Sequence, residues 1–180
     1  MTILNIETGL KNKVLRQKSQ KIARIDKKII QLVEEMKETM VSSKGVGLAA
    51  PQISQNIRLF VMIFDSQNKK DLDSLREKEK EQDENFREKE KKRMKFLTCI
   101  NPEIIEYSPN LIEFEEGCLS LPNQFALVQR PQEIVMKFLD EKSRKQKLRL
   151  RGLNAIVAQH ECDHLEGVLF LDLHKGDKLQ

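Results

Sequence analysis

The segment Leu153 to Leu165 contains neither proline nor glycine, and it sets Leu153, Ile156, Val157 and Ala158 beside His160, His164 and Leu165. It reads as a helix buried on most sides, so the rest of the chain has to cover it. Two histidines and a glutamate are costly to bury without a purpose. In His160-Glu161-Cys162-Asp163-His164 one helical turn separates the histidines, so both imidazoles project from one face and can chelate one metal ion. Glu161, next to the first of them, can reach a metal-bound water as general base.

A tetrahedral catalytic site needs a third protein ligand and one open position. The third histidine, His174, lies among Asp172, Lys175, Gly176 and Asp177, where a solvated turn accounts for it. Cys118 is the better candidate, in Glu116-Gly117-Cys118-Leu119-Ser120-Leu121-Pro122, at the end of a strand-like run where the glycine lets the backbone approach a metal. Alone, such a cysteine reads as a small buried residue; opposite the paired histidines, a thiolate with two imidazoles suits Zn²⁺ or Fe²⁺. Cys162 points away from the metal face and Cys99 sits in a hydrophobic strand, so both read as packing. Three widely spaced cysteines without a CxxC pair argue against a disulfide framework and fit a reducing compartment.

With 180 residues the chain is long enough for one domain with a full core and too short for two ordinary ones. The expectation is a single domain over 1–180 with a charged surface insertion at about 69–95, where twenty of twenty-seven residues are charged. The apolar spacing predicts an amphipathic helix over Ile25 to Met40. An irregular loop is predicted for Gly45-Val46-Gly47-Leu48-Ala49-Ala50-Pro51-Gln52, whose glycines let something approach the backbone closely. Strands are predicted at Ile57 to Phe64, Phe96 to Ile100, Leu111 to Phe114, Phe125 to Val128, Glu133 to Leu139 and Lys147 to Leu150. Turns are predicted at Asn101-Pro102, Ser108-Pro109-Asn110 and Pro122-Asn123. A net charge of +4 arises from 32 basic and 28 acidic residues, with no dense basic face apparent, so sequence-specific nucleic acid is not an expected partner. Met1 to Leu10 lacks a signal-peptide pattern and no apolar run approaches membrane-spanning length, which makes the cytosol the expected location and excludes a membrane partner.

Three segments, Gly45 to Gln52, Glu116 to Ser120 and Gln159 to His164, resemble in residues and order the three motifs of the peptide deformylases. The similarity runs from about Ile3 to Leu173, interrupted by the charged insertion. The resemblance implies an α+β fold with antiparallel β-strands packed around a central helix that bears the HExxH. It implies Cys118, His160 and His164 as ligands of one divalent metal ion, Fe²⁺ or Zn²⁺, and Glu161 as general base and acid in removing the formyl group from the N-terminal methionine of new proteins. The oxyanion would be held by the metal, the Gln52 amide and the Leu119 backbone N–H. The substrate backbone would lie along Gly45 and Gly47 like an added strand. Its methionine would enter a pocket of Val46, Phe114, Leu153, Ile156 and Val157. Glu116 and Arg130 would form a salt-bridged pair orienting the Cys118 loop.

The implied partners are formyl-methionyl nascent peptides and, transiently, the ribosome, in a bacterial cytosol. The sixteen residues after His164 are too few for the long C-terminal helix of many bacterial members, so ribosome docking through such a helix is not expected. Phe125 replaces the polar or basic residue that members often carry there, so preferences beyond methionine are open to change. Two other readings exist. A metalloprotease would need the HExxH but gives no reason for the glycine-rich and cysteine-bearing segments, and a non-catalytic binding module gives no reason for intact Glu161 and Gln52.

Overall fold

The computed structural model describes residues 3–65 and 94–174. The charged stretch anticipated at about 69–95 falls outside the described residues except for its last two, which open a strand. Helix α1, Lys27–Ser42, is followed by strand β1, Gly47–Ala49, a 3₁₀ turn, Ala50–Ile53, and strand β2, Leu59–Asp65. Then come β3, Met94–Tyr107; β4, Leu111–Cys118; β5, Leu121–Pro131; β6, Glu133–Leu139; and β7, Lys145–Arg151. Helix α2, Gly152–Leu165, carries the paired histidines, and a short α3, Phe170–Leu173, follows.

Every named strand pairing is antiparallel: β1-β2-β3-β6-β7 form one sheet, and β4 with β5 forms a separate hairpin. The strand period of two sends Phe60, Met62, Cys99, Ile134, Met136, Phe138 and Leu150 toward α2, where they meet Ala155, Val157, Ala158 and Leu165. α1 covers the β1–β2 end through Val33, Met36 and Met40 against Leu48, Leu59 and Val61. α2 is buried from Asn154 through Gln159 and again at Glu161, His164 and Leu165. The α+β fold expected from the sequence is therefore the one observed.

Several boundaries differ, each for a physical reason. The segment at Gly45 is not all loop: Gly47–Ala49 pairs with Phe60–Met62 as an edge strand. Asn101-Pro102 is no chain-reversing turn but a bulge inside β3, between Ile100 and Glu103. Asn101 takes φ +52° there, and its side chain bonds both the N–H and the C=O of Ile22 at 2.8 Å, so tertiary bonding replaces the turn. Pro122-Asn123 likewise lies within β5, in a three-residue offset of the ladder: Gly117 pairs with Phe125 while Cys118 pairs with Leu121. Residues 3 to 24 form no named helix or strand, yet they lace the core: Glu7 N–H bonds Gln52 C=O at 2.7 Å, Gly9 N–H bonds Ser120 C=O at 2.9 Å and Ser19 N–H bonds Leu165 C=O at 2.8 Å.

Asp26 caps α1, accepting the Lys28 and Ile29 N–H groups at 3.0 Å each. Asp26→Ala is expected to lower stability by about 1 kcal/mol, read as an earlier urea midpoint at unchanged slope; an unshifted midpoint would mean that the cap contributes nothing to α1.

Candidate metal centre and pocket

The offset in the β4–β5 ladder ends β4 at Cys118 and turns the chain at Leu119-Ser120, which brings Cys118 opposite α2. The side-chain donors of Cys118, His160 and His164 all lie within 4.8 Å of one another. Cys118 Sγ is 3.2 Å from His164 Nε2, and the Ser120 N–H points at the sulfur from 3.4 Å. A sulfur with two imidazoles is a donor set suited to a divalent transition metal.

His160 is aimed from behind. Its Nδ1 is 2.8 Å from Glu116 Oε2, which leaves Nε2 for the donor cluster, as carboxylates commonly arrange around metal-binding histidines. Arg130 donates to the same carboxylate through Nε at 2.5 Å and Nη2 at 2.8 Å, and through Nη1 to Asp163 Oδ2 at 2.6 Å. Burial would raise the Glu116 carboxyl, but Arg130 and His160 outweigh it and hold it below the usual carboxylate range. Burial would likewise discourage charge on His160; hydrogen bonds with Cys118 and Glu116 overcome it and raise its pKa to about 10. His164 is driven well below the ordinary value by burial and by His160. The buried Glu116 carboxylate thus both orients His160 and favours charge on its ring. His160 also stacks on Phe170, centroids 6.0 Å apart.

Glu161 is 3 % exposed, and its Oε2 is buried with no hydrogen-bond partner among the described residues. Burial, with Glu116 and Asp163 adding, pushes its carboxyl up to about 7 against the pull of His160 and Arg130. A β-carbon on Gly47 would stand 2.2 Å from Glu161 Oε1, so this glycine makes room for the carboxylate. The sequence suggested a substrate approach for Gly47, and the geometry adds this second reason. Gln52, 2 % exposed, accepts the Ala49 N–H at 2.8 Å and donates through Nε2 to Ser120 Oγ at 3.1 Å, with Cys118 Sγ at 3.5 Å. Its amide is thereby fixed in orientation beside the sulfur.

These groups line one cavity of about 540 Å³. Gly45, Val46, Gly47, Gln52, Phe114, Glu116, Cys118, Leu119, Leu153, Ile156, Val157, His160 and Glu161 all border it. His164 is buried behind the cavity wall, and Arg130 stands behind Glu116. Three contributors escaped the sequence reading. Ser120, fully buried, orients Gln52, and its place beside Cys118 was the available signal. Asp163, inside the HExxH itself, takes the third arm of Arg130. Phe170 gives no sequence signal for its place against His160. The half-exposed His174 bonds the Leu127 carbonyl at 2.9 Å and stands outside the donor cluster. Cys162 packs against the sheet core and Cys99 is buried within it, as expected.

The family model described as polypeptide deformylase matches residues 3–179. A peptide deformylase of Picosynechococcus sp. is 40% identical over 163 residues, spanning 91% of this chain and 75% of that protein. Peptide deformylase 2 of Prochlorococcus marinus (strain MIT 9313) is 41% identical over 169 residues, 94% of this chain and 72% of that one. Among solved structures, a peptide deformylase from Synechococcus elongatus in complex with actinonin superposes with TM-score 0.78 at 33% identity, covering 97% of this chain and 80% of that one. The peptide deformylase from Thermotoga maritima gives 0.79 at 32% identity, covering 98% and 100%. With the motifs, the fold and the donor cluster in agreement with these matches, the chain belongs to the polypeptide deformylase family.

Proposed function

We propose that this chain hydrolyses the formyl group from the N-terminal methionine of newly made proteins, releasing formate, with Glu161 moving the proton. The observation that carries the reading is the buried Glu161 carboxylate, seated on Gly47 at the floor of an apolar cavity beside the Cys118, His160 and His164 donors. Cys118, His160 and His164 would hold one divalent ion, Fe²⁺ or Zn²⁺. When bound, that ion supplies Lewis acidity to a water molecule and to the formyl oxygen.

The remaining chemistry falls to the chain. Glu161 takes a proton from the attacking water and returns it to the departing amine nitrogen, a double use suited to a carboxyl whose pKa burial has raised. Gln52 Nε2, fixed by Ser120, and the Leu119 backbone N–H stabilise the charge that develops on the formyl oxygen, each worth roughly 3 kcal/mol. Val46, Phe114, Leu153, Ile156 and Val157 enclose the methionine side chain. Gly45 and Gly47 let the peptide run along the open edge of β1, which lies at the end of its sheet among the described residues. Glu116 and Arg130 hold the imidazole of His160. The three core clusters and a family match over residues 3–179 support one catalytic domain. The relatives are bacterial, which supports a bacterial setting; a cytosolic location and transient action at the ribosome belong to the proposal through the family resemblance. No helix among the described residues is long and apolar enough to cross a membrane.

Formate release from a formyl-Met-Ala-type peptide by anaerobically purified protein tests the reading: release that a chelator abolishes and added Fe²⁺ or Zn²⁺ restores is expected. Cleavage within the same peptide lacking the formyl group, without formate, would instead support a protease. Glu161→Ala is expected to retain bound metal and lose about 10²- to 10⁴-fold in kcat; turnover at the unmutated rate would remove Glu161 from the mechanism. Gly47→Ala should displace the Glu161 carboxylate and cost on the order of 10²-fold in kcat while metal content, read by plasma emission, stays at the unmutated level. An unaffected kcat would show that Glu161 does not need this seat.

A further inference from the structure

The β6–β7 hairpin carries a charge pattern for which neither the cavity nor the core accounts. From Lys142 to Arg151 six of ten residues are basic and none is acidic. Alternation along β7 turns Leu148 and Leu150 into the core and leaves Lys145, Lys147, Arg149 and Arg151 exposed on the other face, roughly 6.7 Å apart in succession. β6 adds Lys137, whose register partner is Lys147. Two like charges stand side by side there, an arrangement that costs stability in the free protein.

The acids of this face balance the row only in part. Glu106 lies 3.6 Å from both Lys147 and Arg149, and Glu133 lies 3.7 Å from Arg149 and 3.1 Å from Arg151. Three of these contacts are long, Arg151–Glu133 alone is close, and in all four the cation is more than half exposed, so each is of little worth and open to exchange for a stronger anion. Lys137, Lys142 and Lys145 have no ion-pair partner among the described residues. Glu103, the register partner of Lys137 on β3, makes no ion pair with it, and the acids of this face, Glu103, Glu106 and Glu133, lie on β3 and β6 while the β7 edge strand carries none. Charge on an edge strand discourages unwanted pairing. That need is met by either sign, and it explains neither a run without an acid nor Lys137 opposite Lys147.

We propose that this hairpin docks on the phosphate backbone of folded RNA without reading its sequence. A straight row of cations with two guanidinium forks suits the regular phosphates of one strand. A lipid surface fits less well: the apolar residues that alternate with Lys137 on this face of β6 are Val135, 3 % exposed, and Leu139, half-buried against the core, so the face offers little to insert. β7 and β1 occupy opposite edges of the sheet, and none of the basic residues borders the cavity, so RNA on the hairpin leaves the peptide's path open. The docking stands on the charge row alone; its use, holding the enzyme where RNA-rich machinery makes its substrate, rests on the activity proposed above.

The test is anisotropy of a fluorescently labelled RNA stem-loop titrated with the full chain from about 50 to about 200 mM salt. Binding that weakens with a log–log slope of about −3 is expected, from three to four phosphate contacts. The triple variant Lys145→Gln, Lys147→Gln, Arg149→Gln should bind at least ~10-fold more weakly with a slope flatter by about 2, while its formate release from free peptide matches the parent. Lys137→Gln with Lys142→Gln, outside β7, should weaken binding in the same direction and serves if the triple variant does not fold. Absence of RNA binding by the parent chain, or equal binding by the folded variants, overturns the proposal. So does binding to phosphatidylserine vesicles without binding to RNA, which would assign the row to a membrane; formate release is read separately and decides only the catalytic reading.

Discussion

Arg130 is 4 % exposed, held between Glu116 on the neighbouring strand and Asp163 on α2, and the relative placement of the two ligand-bearing elements depends on that arrangement. A guanidinium taken this far out of water is tolerable only with its donors satisfied, and removing one partner of such a buried pair costs about 3–5 kcal/mol. Because Glu116 spends one oxygen on His160 Nδ1, the same contacts that compensate the buried charge also fix the rotation of an imidazole. Stability and site geometry are therefore one requirement here: the β4–β5 hairpin cannot slide along α2 without stranding a charge.

The second constraint is space. Gly47 lets a carboxylate lie against the β1 backbone, Ser120 gives Gln52 a partner, and the ladder offset after Gly117 re-aims Cys118. These three irregularities sit within segments that approach the cavity, whereas β6 and β7 pair without a shift. The irregular N-terminal stretch then bonds the backbones of Gln52, Ser120 and Leu165, so three segments distant in sequence are tied by one strand of chain that has no regular structure of its own.

Much of this was legible from residue order. The apolar run from Leu153 to Leu165 and the spacing of its histidines announced a buried helix with two imidazoles on one face, and α2 is buried with both histidines in the donor cluster. The pocket residues carried over from the family resemblance, Val46, Phe114, Leu153, Ile156 and Val157, all border the cavity. What escaped was set by long-range contacts. Asn101-Pro102 and Pro122-Asn123 have turn-forming composition, but bonding to Ile22 and a bulged ladder kept them inside strands. Ser120 and Asp163 were in view without a role, because their roles exist only once β4, β5 and α2 have met. The basic row on β7 was hidden by a net charge averaged over the whole chain; strand alternation, not composition, concentrates it on one face.

Whether Cys118, His160 and His164 together hold one metal ion is read from X-ray absorption at the zinc edge of the Zn²⁺-loaded protein. One sulfur and two imidazole nitrogens are expected around the zinc, with the sulfur lost in Cys118→Ser. A shell of nitrogen and oxygen alone in the unmutated protein would contradict that ligand set, whatever the activity.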